Sequence, residues 1–117
     1  MSSPVAPSDM ASANIFNDIF HEFFLALIEV FPENVVLQRY LDGFETAIRI
    51  NCKTPREIFV EIITKGNYAE KIINRDERVF ETLELPGLKF NTMWTDDIST
   101  GTKNVIWAYF QKLLSLC

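Results

Sequence analysis

Between positions 14 and 31 the apolar residues recur at helical spacing: Phe16, Ile19, Phe20, Phe23, Leu27 and Val30. Phe24, Ile28 and Phe31 widen that stripe, leaving Asn17, Asp18, His21, Glu22 and Glu29 for the opposite side. A single neighbour cannot cover a face this broad, so the helix has to sit among several partners. Asn14 is placed to cap its start. Pro32 ends it, because proline lacks an N–H and crowds the preceding turn. Such a helix demands a bundle.

The rest of the chain supplies the partners. A second helix is predicted over 33–50, with Val36, Leu37, Tyr40, Leu41, Phe44 and Ile48 on its apolar face. Gly43 lies inside it and reads as a point of close helix crossing. Thr54-Pro55-Arg56-Glu57 has the form of a capping box with proline at the first helical position. The helix it opens runs to about Lys65, and Gly66 is placed to end it with positive φ. A short helix is expected over 67–74 and another helical piece after Asp76. Pro86-Gly87 is a turn. Leu88, Phe90, Met93 and Trp94 are available to plug a core. Ser99 caps a last helix over 100–116. No stretch keeps period-two alternation, so no strand is expected.

The expected fold is all-α: a compact bundle of five to six helices with an N-terminal extended tail. Residues 1–13 form a flexible or partner-held tail, because Pro4 and Pro7 oppose helix and small polar residues cannot build a core. Residues 14–117 form a single helical domain. Trp94, Ile106, Trp107, Phe110 and Leu113 are the candidate core. The chain carries ten phenylalanines in 117 residues, a surplus that suggests an interface as well as a core. Phe16, Phe20, Phe24 and Phe31 are the candidate interface.

Chemistry is harder to find. The formal net charge is −5, which argues against a protein built to grip phosphate backbones. Lys65, Lys71, Arg75 and Arg78 fall close together, but Glu70, Asp76, Glu77 and Glu81 offset them. His21 is the single histidine, and it lacks the companions a zinc site needs. Asp76-Glu77 and Asp96-Asp97 read as solvated acids beside turns rather than as an acid–base pair. The glycines do not form a phosphate-binding loop. Cys52 and Cys117 read as reduced thiols, with no disulfide framework and no signal-peptide pattern. No apolar run is long enough to span a bilayer. No catalytic, cofactor-binding or metal residue is assigned, no cofactor is expected, and a non-enzymatic protein is predicted.

Three blocks occur in order along the chain. Phe31-Pro32-Glu33 closes the Phe-rich helix, and Leu85-Pro86-Gly87 is followed by Phe90. The third is Trp94, Ile98-Ser99, Thr102-Lys103 and Ile106-Trp107, then Tyr109, Gln111 and Leu113 at alternate positions. The pattern, covering 15–117, resembles small uncharacterised helical proteins of nucleocytoplasmic large DNA viruses, especially those infecting algae and protists. Phe110 departs from it, standing where an aliphatic residue is usual. The Pro/Ser-rich start is a second departure. The resemblance implies a viral origin and expression in an infected cell, and it carries over no catalytic residue. The expectation is therefore a protein–protein interaction module, part of the virion or of an infection-stage assembly. Its partners would be other viral proteins or further copies of itself, in the virion or the reducing host cytoplasm, with nucleic acid not expected. The alternative is a regulator of viral transcription or genome packaging acting through protein or weak DNA contacts.

Overall fold

The first helix, α1, spans Val5–Val30, and three other helices pack directly on it. The computed structural model describes residues 5–86 and 88–117, with side chains from residue 11 onward. Among these residues there are six α-helices: α1, α2 (Val35–Ile50), α3 (Thr54–Gly66), α4 (Ala69–Ile73), α5 (Val79–Thr82) and α6 (Thr100–Ser115). The all-α bundle is thus as expected. Its hub is the first helix: α1 contacts α2, α3 and α6, whereas α6 lies against α1 and α4.

The start of α1 also differs from expectation. Asn14 is not its cap but an exposed residue well inside the helix. Of the expected tail, 1–4 lies outside the described residues and 5–13 belongs to the helix. Pro7 is tolerated because it stands in the first turn, where backbone N–H groups have no intrahelical acceptor to lose.

Pro32 makes the predicted corner. Asn34 then caps α2, its side chain accepting from the Leu37 N–H. Phe20 faces Phe44 and Phe24 faces Tyr40. The pairs run in opposite chain directions, so α1 and α2 are antiparallel. Between α2 and α3 the Asn51 side chain accepts from the Lys53 N–H at 3.0 Å, tightening the turn. Pro55 sits in the first turn of α3 as expected, but the capping box is not formed: the start of α3 has no side-chain cap bond. The helix begins one residue earlier than that motif requires, and Thr54 is already helical.

The end of α3 carries another correction. The left-handed residue is Asn67, with φ 54°, and not Gly66. Asparagine is among the few side chains that enter this region readily. Gly66 is required for a different reason. A Cβ there would overlap the Tyr68 ring, which folds back over it and donates from its hydroxyl to Thr82 Oγ1.

After α5 the Pro86 turn joins two short antiparallel strands, β1 (Glu84–Leu85) and β2 (Leu88–Lys89), with Glu84 opposite Lys89 and Leu85 opposite Leu88. Two residues per strand are too few for any alternation to be read from sequence. A single 3-10 turn over Phe90–Thr92 follows. Ser99 then caps α6 as predicted, its hydroxyl accepting from the Thr102 N–H at 3.1 Å.

The core is largely aromatic. Phe110 is fully buried and meets Phe23, Phe59, Phe80 and Phe90 with ring centroids 5.2–6.3 Å apart. Burying each such ring contributes about 1.5–3 kcal/mol.

Candidate functional site

The residues of the C-terminal motif are fully accounted for by the fold. Trp94 stacks on Phe80 at 4.3 Å, meets Trp107 edge-on at 5.4 Å, and donates from Nε1 to Glu77 Oε1 at 2.8 Å. Lys103 Nζ lies 5.4 Å from the Trp94 ring centroid and 3.5 Å from the same Glu77 oxygen. Ser99 and Thr102 form the cap. Tyr109 stacks on Phe23 at 5.0 Å. Gln111 Nε2 donates to the carbonyls of Ile72 and Ile73 at 3.1 and 3.3 Å, holding the end of α4. Ile106, Trp107, Phe110 and Leu113 are buried, as proposed for the core, while Trp94 is half-buried at its edge. These contacts make the motif a packing signature.

The candidate interface does not survive on the outside. Phe16, Phe20 and Phe24 are 0%, 2% and 0% exposed, inside the chain's own core. Phe31 is half-buried and packs against the core's rim. The breadth of the stripe on α1 is used up by its neighbours α2, α3 and α6. The large apolar side chains of α1 that do face outward are Ile15, Leu25 and Val30.

A cleft of about 280 Å³ opens between α2, α3 and the Pro86 turn, and a roomier, shallow concavity of about 600 Å³ lies between α1 and the start of α6, with Leu27, Val30 and Val105 in its lining. Phe20, Phe44 and Phe59 form the buried aromatic base of the α2–α3 cleft, and Tyr40, Ile58 and Pro55 are among its walls. Burial pushes the Tyr40 phenol up to about 12. Arg39 stands at the edge of the cleft, exposed. Among the described residues it has no ion pair or hydrogen bond.

Gly43 lines the same cleft. The close helix crossing expected there is absent: nothing lies within 4 Å of where its Cβ would be. A helix-interior glycine costs about 1 kcal/mol relative to alanine, and no neighbouring side chain requires it here. The sequence gives no hint of this cleft, since its walls are joined only by the folding of α3 and the hairpin against α2.

Other polar clusters are tied up in the fold. His21 Nε2 lies 3.6 Å from Glu45 Oε2, linking α1 to α2. In the basic segment, Lys65 pairs with Glu61 at 2.6 Å, Arg78 grips Asp76 with two nitrogens, and Arg75 donates to Asn104 Oδ1. The Arg78 guanidinium holds the Asp76 carboxyl down at about 2. Burial pushes the Cys117 thiol up, against a smaller opposing pull from Arg56, which leaves it a weak nucleophile at neutral pH. Among the described residues no group of three or more His, Cys, Asp and Glu side chains is placed to hold a metal ion, and no helix is long and apolar enough to cross a membrane.

No protein-family model, curated protein or solved structure matches this chain.

Proposed function

We propose that this chain is a non-enzymatic protein–protein interaction module, a component of the virion or of an assembly made during infection by a large DNA virus. The viral assignment rests on the resemblance of the three sequence blocks. The interaction reading rests on the α2–α3 cleft, an apolar concavity that the chain leaves open to the outside. Concave sites with an aromatic base suit an anchoring side chain from a partner. Two of the four cations over 65–78, Lys65 and Arg78, are already paired with carboxylates and the chain is acidic overall, which favours protein contacts over DNA contacts because less charge is free to displace counterions from phosphate.

Quantitative mass spectrometry of purified virions, together with the native mass of the chain in extracts of infected cells, tests the reading. It predicts that the chain is in the particle or travels in a complex heavier than its own 13.5 kDa. A chain that is monomeric in those extracts and absent from particles would overturn it.

A further inference from the structure

The cleft is specific enough to describe its occupant. Its volume of about 280 Å³ falls just below the ~300–1,000 Å³ of sites that enclose a drug-sized molecule. It suits one or two apolar side chains better than a whole ligand. Its floor of Phe20, Phe44 and Phe59 is apolar and almost wholly buried, and the more exposed Tyr40, Ile58 and Pro86 give the walls that an aromatic or leucine anchor would contact. Arg39 and Gly43 are four residues apart on α2 and both line it. The helix therefore presents a cation one turn from a stretch of wall without a side chain. That cation has no partner among the described residues, although the whole chain is acidic, at net −5. Gly43 weakens its helix and relieves no clash. Its consequence is an open space beside the cleft, which a larger residue would fill.

We infer that the cleft receives an apolar anchor side chain of a partner peptide, with an Asp or Glu carboxylate beside that anchor paired to Arg39. This rests on the interaction reading above and names its docking site. The apolar anchor supplies the buried area, and the carboxylate fixes which way the peptide lies. Guanidinium–carboxylate pairing is suited to that second task because its two parallel hydrogen bonds are directional.

The test is to pan random heptapeptides displayed on phage against the full chain, and against Gly43→Leu as the counter-selection. The selected sequences are then made as synthetic peptides, each with its acidic residue or with the matching amide, and binding is followed by fluorescence anisotropy. The expected result is enrichment of peptides joining an aromatic or leucine to Asp or Glu, with binding lost in Gly43→Leu. Arg39→Gln changes an exposed side chain and leaves the core alone. It should weaken the acidic peptide about tenfold, near the size of one charge-assisted hydrogen bond, and leave the amide version unchanged. Peptides that bind Gly43→Leu equally well, or that bind without an acidic residue and ignore Arg39→Gln, would overturn the inference. Saturable binding of phenylbutyrate with no peptide selected would also overturn it, in favour of a small-molecule site. None of these results bears on whether the chain sits in a larger complex in cell extracts, so the broader reading stands or falls by a separate measurement.

Discussion

Arg39 and Gly43 lie on one wall of the same cleft, a single helical turn apart, and none of the described side chains engages either. The guanidinium has no partner among the described residues, and the glycine has open space where a Cβ would be. A surface charge without a partner is common, and so is a glycine in a helix. Under the docking proposal, their joint position on an apolar concavity gives both the same explanation: they would keep a site open and mark it with charge.

The glycine makes the first prediction. Because no neighbour would be displaced, Gly43→Ala should stabilise the protein by about 0.5–1 kcal/mol. Urea unfolding measures this as a higher midpoint with an unchanged slope. A destabilised variant would mean that the glycine is needed by the fold rather than by the cleft.

Tyr40 predicts a dependence on alkaline pH. Its folded value, about 12, lies above the ordinary 10 because burial disfavours the phenolate. The stabilisation from keeping it neutral is complete below the unfolded value. It is lost as pH rises from about 10 through the folded value. Ultraviolet titration should show late-ionising phenols, Tyr109 being pushed up as well by burial and the Glu22 carboxylate, and Tyr40→Phe should remove the Tyr40 component and reduce the fall in stability over that window.

Gln111 is predicted to hold α4 in place. A five-residue helix is marginal by itself, and Gln111 is bonded to the carbonyls of its last two residues. Gln111→Ala should cost about 1 kcal/mol of global stability. It should also speed amide exchange at Asn74 and Asp76, whose N–H groups bond back to Glu70 and Lys71. Unchanged exchange at both amides would count against this role.

Phe110 carries the largest expected effect. It touches rings from α1, α3, α5 and the 3-10 turn, so Phe110→Ala should remove about 3–5 kcal/mol. Thermal or denaturant unfolding reads this directly. Against a total of about 5–15 kcal/mol for ordinary domains, the variant would sit near the edge of folding.

Much of the bundle could be read before folding because its signals are local. Pro32 ends a helix wherever it stands, and Ser99 caps α6 with a hydroxyl that reaches only its own first turn. The periodicity around Phe23 and Phe110 also needs no knowledge of the partner. Features set by the folded conformation, of near neighbours as well as of distant elements, differ from the sequence reading. Gly66 serves the Tyr68 ring rather than a left-handed turn, and Asn67 takes that conformation instead. Thr54 matches a capping box that the earlier helix start displaces. Phe16, Phe20 and Phe24 seemed surplus only because the number of helices packing on α1 cannot be counted from α1 alone. The cleft was hidden for the same reason, since Arg39, Pro55 and Leu85 come from three separate elements. Arg39 has no visible distinction in sequence: lacking a partner is a property of the folded surface.

The central claim is that a partner docks at the α2–α3 cleft while the C-terminal motif serves the core. Hydrogen–deuterium exchange compares the chain alone with the chain in the complex isolated from infected cells. The account predicts new protection on the two cleft walls, at 39–47 and 54–59, with α6 unchanged between the two states. Protection confined to α6, with the cleft walls exchanging as they do in the isolated chain, would contradict it.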